Sequence, residues 1–279
     1  MKDDMSNPGP PRGEVVSAGE YDVHYLSFGE GPAVVLLHGS GPGASGYSNF
    51  KQNIDTIVES GHRAIVMDMI GFGYSSKPTD CDYTTELFAS TVKGALDAIG
   101  VEKCALFGNS LGGAICIRIA LDYPEFVTSL IMMAPGGIEE RETYFAMPGI
   151  AKMVSTFVAG ELDRDGLHSL LQMLVFDGTH VTDQLVDERF AILEVQPKEV
   201  LSRMVIPSMA DELGNIQCPI IGFWGQNDEF NPVSGAQKFL EQCRDCRFTI
   251  VTDCGHWVML EHERMFNAAL GDFLTNGQK

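Results

Sequence analysis

The residues whose types and spacing most clearly suggest catalysis lie in the segment Gly108–Gly113, which reads Gly-Asn-Ser-Leu-Gly-Gly. A short apolar run precedes the segment and a helical pattern follows it. A serine between small residues in such a strand–turn–helix setting forms a sharp turn that exposes its hydroxyl group, an arrangement known as a nucleophile elbow. The pattern therefore predicts that Ser110 is a nucleophile held in a strained backbone conformation.

A serine hydroxyl is a weak nucleophile unless a base removes its proton and an acid orients that base. When the serine lies on a nucleophile elbow, the acid and then the histidine follow it along the chain. Asp228 and His256 each follow an apolar run typical of a strand. We expect Asp228 to be the acid and His256 the base, on loops at the carboxyl ends of strands.

Other residues compete for these roles. His262 lies on or beside the final helical stretch, which favours a solvated surface position. Asp253 is only three residues from His256, which places it poorly for holding the far nitrogen of the ring. His38 opens a glycine-rich loop and is predicted to be a structural hydrogen-bonding residue.

Acyl transfer also requires two preorganised donors for the oxyanion. One is expected to be the main-chain N–H of Leu111, directly after the nucleophile. The other is assigned to Ser40 in the loop His38–Gly43, whose glycines allow a main-chain N–H to point inward. We also expect Gly39 and Gly41 of this loop to line the substrate site.

Apolar, β-branched runs alternate with amphipathic stretches along most of the chain, after an antiparallel hairpin predicted over residues 14–28. The predicted strands are Ala33–Leu37, Ala64–Met67, Cys104–Phe107, Ser129–Ala134, Ile220–Trp224 and Arg247–Val251. The predicted helices are Phe50–Ser60, Ala114–Tyr123 and Glu263–Leu274. This alternation predicts an α/β fold with a mostly parallel sheet and helices on both faces.

Residues 137–207 interrupt this alternation with helical stretches and no strand pattern. The predicted helices there are Ile150–Val158, Asp165–Val175, Thr182–Leu193 and Pro197–Ile206. We therefore expect a helical cap, residues 137–207, inserted into an α/β core made of residues 14–136 and 208–279. The proline-rich residues 1–13 are predicted to form a flexible arm.

The net charge of −19, from 19 Lys and Arg against 38 Asp and Glu, disfavours nucleic acid and acidic membrane surfaces as partners. An anionic substrate would need a local cation in its site. The seven cysteines show no framework spacing, and no secretory signal or transmembrane run is visible, so we expect a cytoplasmic protein.

No cofactor or metal is expected. The segment Asp68–Gly73 superficially resembles a dinucleotide-binding loop but lacks the third glycine and a helix start. Cys243 and Cys246 form a Cys-x-x-Cys pair without the second pair that a zinc site would use.

Taken together, these residues resemble the meta-cleavage product hydrolases, enzymes of the α/β-hydrolase fold that hydrolyse carbon–carbon bonds in ring-fission products of aromatic compounds. The resemblance runs over residues 21–274, nearly the whole chain. Its narrower features are the loop His38–Phe50, Asn109 before the nucleophile, the segment Asp187–Phe190 of the predicted cap, and Cys254–Trp257.

The resemblance implies that the substrate is a 2-hydroxy-6-oxo-hexa-2,4-dienoate. Arg189 would hold its C1 carboxylate with help from Asn109 and Trp257, and Asn49 would lie at the same polar end. An acidic protein that binds an anion also needs a fixed cation, and a guanidinium group can form two parallel hydrogen bonds with a carboxylate. Without the resemblance, Arg189 would be interpreted as part of a surface salt bridge on a cap helix.

The resemblance also implies a two-stage reaction and a homodimer or higher homo-oligomer. The dienol ketonises as a proton is delivered to C5, and water or Ser110 then attacks the C6 carbonyl. The C5–C6 bond breaks, giving a 2-hydroxypenta-2,4-dienoate and a carboxylic acid. His256 would shuttle the protons and Ser110 would form an acyl-enzyme.

Two other functions fit the same triad. A small-molecule carboxylesterase would need no anion site at Arg189, and a non-catalytic receptor would bind a ligand in the pocket without turnover. The stretch between Arg189 and Ile220 looks short relative to close family members. The size and nature of the group on C6 of the substrate therefore stay open.

Overall fold

The computed structural model describes residues 12–159 and 162–277, so residues 1–11 of the predicted arm lie outside it. The strands are β1 (Glu14–Ala18), β2 (Tyr21–Phe28), β3 (Ala33–Leu37), β4 (Arg63–Met67), β5 (Tyr83–Thr84), β6 (Cys104–Asn109), β7 (Val127–Met133), β8 (Met204–Val205), β9 (Ile220–Gly225) and β10 (Cys246–Val251). The helices are α1 (Gly46–Phe50), α2 (Ile54–Glu59), α3 (Thr85–Ala98), α4 (Leu111–Asp122), α5 (Arg141–Phe145), α6 (Pro148–Ala159), α7 (Arg164–Gln172), α8 (Asp183–Leu193), α9 (Glu199–Ser202), α10 (Gly235–Gln242), α11 (Val258–Glu261) and α12 (Glu263–Asn276).

Eight strands form one sheet in the order β1-β2-β4-β3-β6-β7-β9-β10. β2 is antiparallel to both of its neighbours, and every other neighbouring pair is parallel. Every residue of β3 is buried, as expected of an uninterrupted apolar strand covered on both faces. α2 packs against α12, and α3 packs against α4. The predicted α/β-hydrolase architecture is confirmed.

The parallel strands bring the predicted catalytic loops to one edge of the sheet. The loops that follow β3, β6, β9 and β10 carry Ser40, Ser110, Asp228 and His256. Because these strands run parallel within one sheet, their carboxyl ends lie at the same edge, where ligands of open α/β sheets bind.

The segment between β7 and β9 contains the five helices α5 to α9, but the expectation that it has no strand is wrong. β8 pairs in parallel with β5 and forms a two-stranded sheet. The helix predicted over residues 197–206 is only the single turn α9. Pro207 disfavours helical backbone at Ile206, and the carbonyl of Arg203 accepts the N–H of Tyr83, 3.0 Å away, which directs the chain into the strand.

The helix predicted over residues 50–60 is also wrong in its bounds. A capping box formed by Ser45 and Ser48 starts α1 earlier, and a 3-10 turn over Lys51–Asn53 separates it from α2. The buried Asn53 side chain donates to Asn267 on α12, 2.8 Å away, and holds that turn. α4 begins three residues before the predicted start, and α3 and α10 were not predicted.

Across the described residues, no helix combines the length and the apolar character needed to cross a membrane.

A buried, hydrogen-bonded histidine–aspartate pair ties the antiparallel strand β2 to the carboxyl-end edge of the sheet. Nδ1 of His24 lies 2.8 Å from Oδ2 of Asp68. Oδ2 also accepts the N–H of Tyr74 at 2.9 Å, and Oδ1 accepts the N–H of Gly46 at 2.7 Å. Burial by itself would raise the pKa of Asp68. The hydrogen bond from His24, the nearby histidine charges and the N–H of Tyr74 more than offset this, so the pKa of Asp68 is lowered.

We expect Asp68→Asn to lower the free energy of unfolding at pH 7 by about 1–3 kcal/mol, because the amide leaves a buried N–H donor without its acceptor. Because the folded-state pKa of Asp68 lies below its unfolded value of about 3.9, the stabilisation is present above that pH and is lost as the pH falls through the folded pKa. Urea denaturation at several pH values measures both effects.

The control is Asp122→Asn, which removes a pair with Arg118 that is partly exposed to solvent. This change should cost less than about 1 kcal/mol. Equal losses for the two variants, or a loss at Asp68 that does not shrink in acid, would contradict the role of the buried pair.

Candidate active site

The end of β6 and the start of α4 meet at Ser110, in a turn that only small neighbours permit. Ser110 has φ 54° and ψ −115°, a conformation that costs a non-glycine residue about 1–3 kcal/mol. A Cβ atom on Gly112 would lie 1.9 Å from the carbonyl oxygen of Leu37, so α4 approaches β3 as closely as a glycine allows. The strained serine expected from the motif is present.

His256 and Asp228 form a buried pair in which each atom has a defined partner. Nδ1 of His256 lies 2.7 Å from Oδ2 of Asp228. The other carboxylate oxygen, Oδ1, accepts the N–H groups of Phe230 at 2.8 Å and Asn231 at 2.9 Å. Since the carboxylate is an acceptor, it places the ring proton on Nδ1 and leaves the lone pair on Nε2, as a general base requires.

Ser110 and His256 line the same cavity. No hydrogen bond within the described part of the chain joins the serine hydroxyl to the imidazole ring. Catalytic hydrogen bonds are often loose before substrate binds and tighten in the complex.

Two main-chain donors beside the serine are available for an oxyanion. Among the described residues, the N–H groups of Leu111 and Ser40 have no protein acceptor. Leu111 is the first residue of α4, where N–H groups have no partner within the helix. The N–H of Gly112 donates to the carbonyl of His38 at 3.0 Å, which ties the elbow to the loop that carries Ser40.

His38 is fully buried and supports the loop that carries Ser40. Its Nδ1 donates to the carbonyl of Gly39 at 2.7 Å, and its Nε2 accepts the N–H of Met69 at 3.1 Å. Burial lowers the pKa of His38 to about 4, although the charge of Asp68 opposes this shift. The expected structural role of His38 is confirmed, since a neutral ring with both nitrogens bonded cannot serve as the base.

Arg189 on α8 lines the same cavity and is 1% exposed. No carboxylate of the described residues pairs with it, because its neighbour Glu188 binds Lys51 at 2.7 Å instead. Its Nε and Nη1 atoms are buried and have no partner in the described part of the chain. Burial lowers the pKa of Arg189 to about 10, so the side chain is still cationic at neutral pH. The alternative of a surface salt bridge is therefore wrong.

A polar chain connects this cation with the nucleophile elbow. Nη2 of Arg189 lies 3.4 Å from Oδ1 of Asn49, whose Nδ2 donates to Oδ1 of Asn109 at 3.3 Å. The guanidinium carbon lies 5.0 Å from the ring centroid of Trp257, a contact that holds the side chain without neutralising it. The structure thus brings together the four side chains expected at the polar end.

The loop after β3 packs directly against the arginine. A Cβ atom on Gly43, which has φ 66°, would lie 2.0 Å from the carbonyl oxygen of Arg189. A Cβ on Gly41 would lie 3.1 Å from Nη1 of Arg189, and a Cβ on Gly39 would lie 3.3 Å from Cβ of Ser110. Gly39 and Gly41 therefore line the cavity as expected, with no side chain between the main chain and a ligand.

Apolar side chains that sequence reasoning did not identify as site residues line the rest of the cavity. They are Ile150, Met153, Leu170, Leu171, Leu174 and Phe230. The Phe230 ring lies 5.5 Å from the His256 ring, and its place two residues after Asp228 could have predicted this contact. The others show only helical periodicity, which does not distinguish a cavity wall from a packed core.

The residues between β7 and β9 also position the histidine. The N–H of His256 donates to the carbonyl of Leu174 at 2.8 Å. Glu261 accepts the N–H of Gly255 at 2.7 Å through Oε1 and that of Phe176 at 2.7 Å through Oε2. The histidine loop is therefore bonded to the helical segment as well as to the sheet.

The rival residues lie elsewhere. Nε2 of His262 is 3.4 Å from the carbonyl oxygen of Asp253, and neither residue lines the cavity. Within residues 12–159 and 162–277, no group of three or more His, Cys, Asp or Glu side chains is arranged to hold a metal ion.

Comparisons with known proteins agree with this architecture. A family model described as the alpha/beta hydrolase fold matches residues 32–177. A 2-hydroxy-6-oxononadienedioate/2-hydroxy-6-oxononatrienedioate hydrolase from Comamonas testosteroni is 36% identical over 92% of this chain and 92% of its own length. A 2-hydroxy-6-oxo-6-phenylhexa-2,4-dienoate hydrolase from Burkholderia cepacia is 34% identical over the same shares. A variant of the meta-cleavage product hydrolase from Pseudomonas fluorescens IP01 has a similar structure, with a TM-score of 0.83 and 25% identity over 95% of this chain and 98% of that one.

We expect Asp228→Asn to slow labelling of Ser110 by a fluorophosphonate probe by about 10⁴-fold. The amide would present its N–H₂ group to Nδ1 and move the ring proton to Nε2, which then cannot act as a base. The rate of probe incorporation, followed by mass spectrometry, measures the effect. Glu229→Gln, an exposed neighbour on the same loop, is the control and should label at the parental rate. Equal labelling of the two variants would contradict the role of Asp228.

Proposed function

Because this chain belongs to the α/β-hydrolase family, and within it to the meta-cleavage product hydrolases, we propose that it hydrolyses the C5–C6 bond of a 2-hydroxy-6-oxo-hexa-2,4-dienoate formed by ring fission in aromatic-compound degradation. The observation that carries this proposal is the buried Arg189, which has no carboxylate partner among the described residues and shares a cavity with Ser110. A cation buried in this way is strongly destabilising unless an anionic ligand pairs with it.

The polar and catalytic ends of the cavity define the orientation of the substrate. The C1 carboxylate binds Arg189 through two parallel hydrogen bonds. One comes from Nη2, whose contact with Oδ1 of Asn49 is long at 3.4 Å, and the other from Nε or Nη1, which have no partner in the described part of the chain. Asn49 and Asn109 lie along the dienoate toward the elbow. The C6 carbonyl then lies beside Ser110, with its oxygen directed to the main-chain N–H groups of Ser40 and Leu111.

The first stage is ketonisation, which moves a proton and leaves the number of atoms unchanged. The C2 hydroxyl gives up its proton, and a proton relayed by Nε2 of His256 is added to C5. The product has a ketone at C2 and a saturated C5. It can therefore accept the electron pair that is released when the C5–C6 bond breaks.

The second stage is acyl transfer through Ser110. His256 takes the hydroxyl proton as Oγ bonds to C6, and the oxyanion accepts the two N–H groups. The C5–C6 electron pair then moves through C3 and C4 to the C2 oxygen, and the imidazolium returns a proton to the leaving dienolate. Water, activated by His256, hydrolyses the acyl-serine to release a carboxylic acid and a 2-hydroxypenta-2,4-dienoate.

We propose that residues 137–207 act as the cap of this site. Arg189 and most of the apolar cavity wall lie on this segment. The cavity volume is only about 30 Å³, room for about two waters. Binding of a dienoate therefore requires the cap or its side chains to move outward.

A carboxylesterase would use the same triad on an uncharged ester. Such a substrate has no group to pair with Arg189, and the cation would stay buried without a partner. A receptor function would leave the aligned His256–Asp228 pair without a chemical role. Both alternatives account for less of the site than dienoate hydrolysis does.

We further propose a homo-oligomer in the cytoplasm. All seven cysteines are free thiols, which suits a reducing compartment. β10 is an edge strand of the main sheet and exposes Ile250, and such an edge favours pairing with a second copy.

We expect Ser110→Ala to slow release of the carboxylic acid from a C6-substituted dienoate by about 10⁴-fold or more, because acyl transfer then lacks its nucleophile. Chromatography of the products measures this rate. Ser90→Ala, an exposed serine on α3, is the matched control and should retain the parental rate. Unchanged release of the acid in Ser110→Ala would defeat the assignment of the nucleophile.

We expect Arg189→Met to lower kcat/KM for the dienoate by about 10³-fold, as expected for loss of a charge-assisted bidentate contact. Hydrolysis of uncharged p-nitrophenyl acetate should change less than about threefold. The melting temperature should be unchanged or raised, since an apolar group replaces a buried charge.

The control for Arg189→Met is Arg164→Met, which alters an exposed cap arginine that pairs with Asp183 and Asp187. It should leave turnover of both substrates unchanged. Equal losses on the dienoate and the ester in Arg189→Met would favour the esterase alternative.

A further inference from the structure

The loop after β3 makes a tight turn directly after Ser40. The N–H of Ala44 donates to the carbonyl of Gly41 at 3.0 Å, and Gly43 has φ 66°. A proline at the second position and a glycine of positive φ at the third are the pattern of a type II turn. Because Ser40 immediately precedes this turn, the direction of its main-chain N–H depends on how the turn is held.

The turn cannot satisfy the N–H of Gly43, because its own hydrogen bond uses the N–H of Ala44. Gly43 is buried, and a buried N–H without an acceptor is unfavourable. Oε1 of Gln196 accepts this N–H at 2.8 Å. Gln196 lies between α8 and α9, so a side chain of the proposed cap completes a turn of the α/β core.

Two attachments flank the main chain of Ser40. On one side, the carbonyl of His38 accepts the N–H of Gly112 at 3.0 Å, which ties the loop to the nucleophile elbow. On the other side, Gly43 receives the Gln196 side chain and also packs against the main chain of α8. The position of the Ser40 N–H therefore depends on the elbow and on the proposed cap together.

Stability alone does not account for a glutamine at position 196. Its Nε2 atom is buried and has no partner in the described part of the chain, which is unfavourable for folding. A methionine has nearly the same length and would fill the space without this donor, but it could not accept the N–H of Gly43. The acceptor for Gly43 is therefore what the glutamine adds over an apolar side chain.

We infer that Gln196 is a positioning residue that sets the oxyanion donor of Ser40 when the cap lies against the core. The cavity admits a dienoate only after outward movement of the cap or its side chains. When Gln196 moves outward, Gly43 loses its acceptor and the turn after Ser40 loses one attachment. The oxyanion donor is then complete only after the cap closes over the substrate, and acyl transfer waits for that closure. The inference rests on the proposed roles of Ser40 and the cap, and adds the residue that links them.

The test uses p-nitrophenyl acetate, an uncharged ester whose hydrolysis needs the triad and the oxyanion donors but no anion site. Gln196→Met removes the acceptor at nearly constant length. We expect kcat to fall about tenfold and KM to change less than about twofold, because displacing one donor costs part of the roughly 10²–10³-fold loss that follows its removal. Gln196→Glu keeps an acceptor for the N–H of Gly43 and should restore kcat to within about twofold of the parental value.

Two inhibitors distinguish positioning of the oxyanion donor from a general effect on the fold. Ser110 adds to the carbonyl carbon of an uncharged alkyl trifluoromethyl ketone and leaves an oxyanion. The Ki of this ketone should rise about tenfold in Gln196→Met and return to near the parental value in Gln196→Glu, because its affinity depends on the oxyanion donors. The Ki of 2-hydroxypenta-2,4-dienoate, which forms no oxyanion at Ser110, should be unchanged in Gln196→Met.

The matched control is Gln172→Met, which alters an exposed glutamine on α7 of the same segment and should retain the parental kcat. Gln196→Asn is shorter by one methylene, cannot reach the N–H of Gly43, and is the second variant without the acceptor. It should lose kcat as Gln196→Met does. Circular dichroism verifies that each variant is folded.

A parental kcat in folded Gln196→Met or Gln196→Asn, or no recovery in Gln196→Glu, would overturn the inference. A rise in the Ki of both inhibitors in Gln196→Met would also overturn it, because a general change in the site would then explain the loss. If the wild-type protein hydrolyses the ester but no dienoate, the proposed function fails, and the ester series still decides the role of Gln196.

Discussion

A guanidinium group buried without a carboxylate partner is the constraint on which the site depends. Arg189 is 1% exposed, and two of its nitrogen atoms have no partner among the described residues. Lys51 binds the neighbouring Glu188, and Trp257 contacts the guanidinium without cancelling its charge. In a chain of net charge −19, this local cation is what makes an anionic substrate compatible with the protein.

The architecture places that cation at a fixed position relative to the nucleophile. The loop after β3 contacts Ser110 on one side and Arg189 on the other, and glycines make both contacts possible. The main chain of His256 is bonded to Leu174, so the base is set by the sheet and by the helical segment together. Movement of that segment would therefore act on Arg189 and His256 at once.

The strained turn at Ser110 and the hydrogen bond between His256 and Asp228 were predictable because each residue lies in a short local pattern at the end of a strand. The strands of the central sheet were predictable because burial on both faces leaves uninterrupted apolar runs such as Val34–Leu37. The burial of Arg189 was not, since it depends on contacts with the loop after β3 that are distant in sequence. β5 and β8 were missed because two-residue strands show no periodicity. The apolar side chains that line the cavity were missed because cavity-lining and core residues share one helical pattern.

The most direct test of the account is a crystal structure of Ser110→Ala with a bound C6-substituted dienoate. The account predicts that the C1 carboxylate forms paired hydrogen bonds of about 2.7–2.9 Å with Arg189. It also predicts that the C6 carbonyl oxygen faces the main-chain N–H groups of Ser40 and Leu111. A substrate bound in the reverse orientation, with its carboxylate at those N–H groups and Arg189 still without a partner, would contradict it.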